Sequence, residues 1–130
     1  MAYNILIVDD SGVTRAVLKR TIEMTQVPVE NFYEAANGVQ GLEKLETESV
    51  DLIMTDINMP EMNGMEMAAA ILGNPNTTNI PIVIISTHAE DTRIQELKSQ
   101  GIKAYIHKPF TPEGIREVLD NVLDLNEAQA

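Results

Sequence analysis

Five side chains in this chain could between them handle a phosphoryl group: Asp9, Asp10, Asp56, Ser86 and Lys108. Each stands at the downstream end of a short apolar run. Carboxylates drawn together repel, and each is pushed toward its protonated form unless a cation neutralises the group. An all-oxygen set of this kind suits Mg²⁺, with Mn²⁺ as an alternative ion. Mg²⁺ keeps several waters and completes its octahedron with phosphate oxygens. Lys108 would neutralise a visiting anion as a point charge, and Ser86 would donate a hydrogen bond to it. An aspartate carboxylate can itself attack phosphorus and form an acyl phosphate, a reaction that needs mostly positioning and charge neutralisation. Asp56 stands centrally and is the candidate nucleophile, whereas Asp9 and Asp10 are paired at an edge and suit a cation. Taken alone, Asp56 would read as a turn residue bonding its own backbone. Its company decides the matter.

Those residues need strands to carry them. Residues 5–8 form an all-apolar run closed by Asp9, Asp10, Ser11 and Gly12, which predicts a buried strand turning into a helix. A helix over 13–24 follows, with Val13, Ala16, Val17, Leu18, Ile22 and Met24 on a broad apolar stripe. Pro28 and the residues to Asn31 separate it from a second strand over 32–35. Asn37 and Gln40 have capping-box spacing ahead of Val39, Leu42 and Leu45. The run that delivers Asp56 is apolar without alternation, as in a strand buried on both faces. After Pro60 and Gly64, Asn63 and Glu66 make a second capping box for a helix with Met65, Ala68, Ala69 and Leu72 on one face. Pro81 opens a strand over 82–86. Residues 91–100 predict a helix thinly anchored by Ile94 and Leu97 and stopped by Gly101. Residues 104–107 form a fifth strand ended by Lys108 and Pro109. Thr111 and Pro112 then open a last helix whose inner face is Ile115, Val118, Leu119, Val122 and Leu125.

Strand and helix alternate five times, so the chain is expected to be an α/β protein with a doubly wound parallel sheet, helices on both faces and right-handed crossovers. In such a sheet, ligands bind beyond the carboxyl ends of the strands, where these residues stand. A single domain over 1–130 is expected, with no residues left for an output domain. The chain carries 20 acidic residues against nine Lys and Arg, a net charge of −11, which disfavours binding to nucleic acid or anionic membranes. It has no cysteine and no stretch near the roughly 18 apolar residues of a membrane span, and its N-terminus lacks the basic flank of a signal peptide. A soluble, cytoplasmic protein is expected. His88 and His107 are too few for a zinc site without cysteines, and the seven methionines read as core and loop packing.

The set Asp9-Asp10, Asp56, Ser86 and Lys108-Pro109, with the loop Met59-Pro60-Glu61-Met62-Asn63-Gly64, resembles the receiver domain of bacterial response regulators. Several ordered motifs agree over essentially the whole chain, and the likeness is to stand-alone, CheY-like regulators. The resemblance implies a flavodoxin-like (βα)5 three-layer sandwich with strand order 2-1-3-4-5. It implies phosphorylation of Asp56 by a CheA-like histidine kinase or a small phosphodonor. Mg²⁺ would be held by Asp10, Asp56 and the backbone carbonyl of Asn58, with Asp9 assisting through water. Ser86 and Lys108 would bind the phosphoryl oxygens, and Tyr105 would be a switch aromatic that turns inward when Ser86 moves. The responding face would be the 91–100 helix, the fifth strand and the last helix. The partner there would be a target such as the flagellar motor switch, with a phosphatase as a further partner and the protein itself a monomer.

Asn58, Thr87 and His88 stand at the mouth of the site. Many family members carry Ala or Gly after the serine, so Thr87 is expected to hinder water and slow the loss of the acyl phosphate. Chemotaxis and a phosphorelay through a His phosphotransferase both stay open. A Mg²⁺-dependent phosphohydrolase would use the same acids, but Asn58 stands where its general acid would be expected, so a dedicated enzyme is not expected. A flavin-carrying domain is disfavoured because Asp9 and Asp10 would repel its phosphate.

Overall fold

A computed structural model describes residues 2–87, 95–96, 98–99 and 101–123. Five strands, β1 (Tyr3–Val8), β2 (Val29–Ala35), β3 (Leu52–Thr55), β4 (Ile82–Ser86) and β5 (Ala104–His107), form one sheet. Its order is β2-β1-β3-β4-β5 and every pairing is parallel. The helices α1 (Gly12–Met24), α2 (Gly38–Thr47), α3 (Gly64–Leu72) and α4 (Pro112–Val122) alternate with the strands. Of the helix expected over 91–100, residues 95, 96, 98 and 99 are helical. Ile94, Leu97 and Leu125 lie outside the described residues.

β1, β3 and β4 are the three middle strands, and their apolar residues carry no alternation because both faces are covered. Leu6, Val8, Ile53, Ile82 and Ile84 meet Met67, Ala68 and Ile71 of α3 on one face. Ile5, Ile7, Leu52, Met54, Val83 and Ile85 meet Leu18 and Ile22 of α1 and Ile115 and Leu119 of α4 on the other. The result is a three-layer sandwich in which the strand ends, not the helices, define the common rim.

Four details of the helical and edge elements differ from expectation. Val13, Val17 and Met24 are exposed, and α1 buries Leu18, Thr21 and Ile22, a narrower stripe than the apolar residues suggest. Val39 is also exposed, and α2 turns Gly38 and Gly41 inward so that its backbone approaches its neighbours closely. α3 buries Gly64, Met67, Ala68 and Ile71, whereas Ala69 is exposed and Met65 and Leu72 are half-buried. β2 begins at Val29, not at 32, because the Tyr3 N–H bonds to the Pro28 carbonyl and the pairing passes through an irregularity between Tyr3 and Asn4. Glu30 and Asn31 are exposed there, as an edge strand permits.

The caps are local and specific. Ser11 Oγ accepts from Thr14 N–H, and Thr111 Oγ1 accepts from Gly114 N–H. Asn63 and Glu66 form the complete capping box, each side chain bonding the other's backbone. The α2 box is half formed: Asn37 caps Gln40, but the Gln40 side chain accepts from Ala36 N–H.

Candidate phosphoryl and metal site

The rim beyond β1 and β3 gathers the three acids. Asp9 follows β1 and is buried, 5% exposed, and its N–H donates to the Ala35 carbonyl across the sheet. Asp10 is exposed and Asp56 lies between the two in exposure. One oxygen from each carboxylate falls within 4.8 Å of the other two. Like charges that close oppose one another strongly, so the cluster calls for positive charge.

Lys108 supplies part of it. The residue follows β5, and its Nζ reaches Asp9 Oδ2 at 3.4 Å and Asp56 Oδ2 at 3.2 Å. Burial works against the ammonium, but the carboxylates of Asp56 and Asp9 outweigh it and hold the pKa above the ordinary lysine value. One lysine against three carboxylates leaves the cluster net negative, and its hard oxygen donors fit Mg²⁺ or Mn²⁺.

Asp56 is tied to nearby backbone. Asp56 N–H donates to the Val8 carbonyl, and Asp56 Oδ1 accepts from Ile57 N–H at 2.7 Å. Asp56 Oδ2 is the oxygen on the lysine side. Thr55, itself buried, donates its hydroxyl to the Asp56 carbonyl. The loop that follows folds back under the site. Gly64 N–H donates to the Ile57 carbonyl, and a Cβ at Gly64 would collide with the Asp56 carbonyl oxygen. Glycine is therefore required by close approach. Gly38 at the start of α2 makes the same kind of contact with Met62, whose carbonyl accepts the Gly38 N–H.

On the other side of the rim, Ser86 ends β4, next to β3 in the sheet, and is buried. Its carbonyl accepts both the Lys108 N–H at 2.9 Å and the Tyr105 hydroxyl at 3.1 Å. Tyr105 is half-buried. Thr87 is exposed, and its carbonyl lies 3.1 Å from His107 Nε2, which is also on the surface. Asn58 is exposed beside Ile57, and His88 lies outside the described residues. The Lys108–Pro109 peptide bond is cis.

Sequence reasoning misses one part of the surroundings. Arg15 of α1 donates from Nη1 to the Asp9 carbonyl at 2.6 Å and from Nε to Glu34 Oε1 of β2 at 2.9 Å. Lys19 joins Glu34 Oε2 at 3.2 Å and lies over the Phe32 ring. The Arg15 hydrogen bond is the main cause holding the Glu34 carboxyl below the usual carboxylate range. The available signal is a carboxylate placed inside an otherwise apolar strand end, Tyr33-Glu34-Ala35, which asks for a cation on a neighbouring element.

The chain is similar to known proteins over most of its length. The sequence pattern of the family described as response regulator receiver domain matches residues 5–120. The chain is 35% identical over 124 residues to chemotaxis protein CheY1 of Helicobacter pylori, covering 95% of this chain and 98% of that protein. It is 34% identical over 120 residues to a chemotaxis protein CheY homolog of Campylobacter jejuni, covering 92% and 91%. In structure it is similar to the chemotaxis response regulator CheY4 of Vibrio cholerae, with a TM-score of 0.80 and 31% identity over 94% of this chain and 99% of that one. Among the described residues, no helix is long and apolar enough to cross a membrane.

Proposed function

Because this chain belongs to the response regulator receiver domain family, we propose that it is a phospho-accepting switch whose acceptor is Asp56. The observation that carries this reading is the meeting of Asp9, Asp10, Asp56 and Lys108 at one rim of the sheet. Asp56 Oδ2 attacks the phosphorus of a phosphohistidine or a small acyl phosphate. The new O–P bond forms as the bond to the departing imidazole nitrogen or carboxylate breaks, and Asp56 becomes an acyl phosphate. The Ile57 N–H fixes the acceptor's rotamer through Oδ1, leaving Oδ2 to react. Lys108, already on the Oδ2 side, neutralises the incoming phosphoryl oxygens, and Ser86 donates its hydroxyl to one of them.

Asp10, Asp56 and the Asn58 carbonyl would hold Mg²⁺, with Asp9 assisting through water. When bound, the ion neutralises charge on the transferring phosphoryl group. Ser86 moving toward the phosphate would release the shared hold of Tyr105 and Lys108 on its carbonyl, which is how the site could alter the β5 and α4 surface. Likeness to chemotaxis proteins supports a CheA-like kinase as donor and a flagellar motor switch as target. A cytoplasmic site of action follows from those partners. Phosphohydrolase action is not favoured, since Asn58, two residues past the acceptor, offers no acid.

Incubation with acetyl phosphate and Mg²⁺ should add one phosphoryl mass to the intact chain. Asp56→Asn, or omission of the metal, should prevent it. An equal gain in Asp56→Asn would refute Asp56 as acceptor.

A further inference from the structure

The three carboxylates are not held alike. Asp9 Oδ1 accepts from the Ser11 N–H at 2.9 Å and Asp9 Oδ2 faces Lys108. Asp56 is fixed by the Ile57 N–H and Lys108. Among the described residues none bonds the Asp10 carboxylate, which is exposed and repelled by its two neighbours. Its direction must come from the backbone.

That backbone has an unusual restraint. The Asp9 carbonyl oxygen belongs to the peptide plane that leads into Asp10, so fixing the oxygen fixes the orientation of that plane. Arg15 does so with one arm of its guanidinium and grips Glu34 with Nε. Glu34 precedes Ala35, whose carbonyl accepts the Asp9 N–H at 3.0 Å. Asp9 C=O, Arg15, Glu34, Ala35 and Asp9 N–H thus make a closed ring between α1, β2 and the end of β1. An ion pair as open as Arg15 and Glu34, 20% and 37% exposed, adds little to stability. Its geometry serves another end.

We infer that Arg15, braced by Glu34, is a positioning residue that aims the Asp10 carboxylate into the cation site. This rests on the cation reading of the acidic pocket. Groups that orient metal ligands from behind typically contribute tenfold or more to affinity. A lysine at this position would keep the charge but could not bridge carbonyl and carboxylate with a rigid fork.

The sign of the effect separates positioning from simple electrostatics. Removing a positive charge close to a cation site should tighten Mg²⁺ binding if charge alone matters. Loss of the strut should weaken it. Calorimetric titration of the full chain with MgCl₂ should give a Kd raised about tenfold in Arg15→Met. Arg15→Lys should raise it by a smaller factor, and Glu34→Gln should also raise it. Circular dichroism and urea unfolding show whether each variant is folded, and Arg15→Lys supplies the measurement if Arg15→Met is not. Unchanged or tighter binding in folded Arg15→Met and Arg15→Lys would overturn the strut while leaving the pocket reading intact. Absence of Mg²⁺ binding by the unsubstituted chain at millimolar ion would overturn both.

Discussion

The exits of β1 and β3 and those of β4 and β5 lie along one rim of the parallel sheet but are secured differently. On the β1 and β3 side, Asp9 and Asp56 are each tied through backbone and side chain, and Gly64 brings the following loop into contact with the Asp56 carbonyl. On the β4 and β5 side, the Ser86 carbonyl collects the Tyr105 hydroxyl and the Lys108 N–H, and the Thr87 carbonyl lies beside the exposed His107 ring. A receiving half needs a fixed nucleophile, whereas a responding half must exchange one set of bonds for another. Under the proposed function the difference suits a switch, with an acceptor held by backbone beside bonds that a phosphoryl group would redirect.

Substitutions on each side should separate these roles. Gly64→Ala attacks the rigid side, since its Cβ cannot fit against the Asp56 carbonyl, and urea unfolding should show a loss of about 3 kcal/mol. Lys108→Met should leave the acceptor in place but slow acetyl phosphate labelling about a hundredfold, the usual cost of removing one preorganised electrostatic contact. Equal labelling rates would place the lysine outside the chemistry. Tyr105→Phe deletes the hydroxyl bond to Ser86 and should cost about 1 kcal/mol or less of stability. Labelling should survive in that variant.

The pKa values of Lys108 and Glu34 are shifted in opposite directions. With its folded-state pKa raised, Lys108 stabilises the fold at neutral pH, and that contribution is lost as pH climbs through the ordinary lysine range to the folded value. Lys108→Met should therefore lose less stability at alkaline pH than the unsubstituted chain. Glu34, whose pKa is lowered, contributes above the ordinary carboxylate range and loses that contribution as pH falls through its folded value. Glu34→Gln should flatten the acid side of the stability curve by under about 1 kcal/mol, because the pair is partly exposed. Thr87→Ala should hasten loss of the acyl phosphate several-fold if the threonine hinders water at the mouth. Identical decay would remove that role. Smallest of all, Val17→Ser should change stability by no more than about 0.5 kcal/mol, as its side chain is half exposed.

That last variant marks a limit of sequence patterning. The middle strands were legible because burial on both faces demands unbroken apolar runs, and their parallel direction followed from alternation with helices, while their order came from the family resemblance. Periodicity on α1 could not show which apolar residues face the sheet: Leu18 and Ile22 do, Val13, Val17 and Met24 do not. β2 was only partly legible, since an edge strand tolerates Glu30 and Asn31, which look like loop. The pocket acids and Lys108 could be read because strand ends converge in this architecture. Arg15 could not, because an arginine on a helix normally belongs to a solvated face and its partners, Glu34 and the Asp9 carbonyl, come from other elements.

Asp56, and no other carboxylate of the cluster, is expected to receive the phosphoryl group. Borohydride reduces an acyl phosphate to the alcohol with release of phosphate, leaving a permanent mass change on the modified side chain. After acetyl phosphate and Mg²⁺ treatment, reduction and peptide mapping should place that change on Asp56 alone, with Asp9 and Asp10 unaltered. A change at Asp9 or Asp10, or none at Asp56 in a chain that had gained the phosphoryl mass, would rule out Asp56 as the sole acceptor.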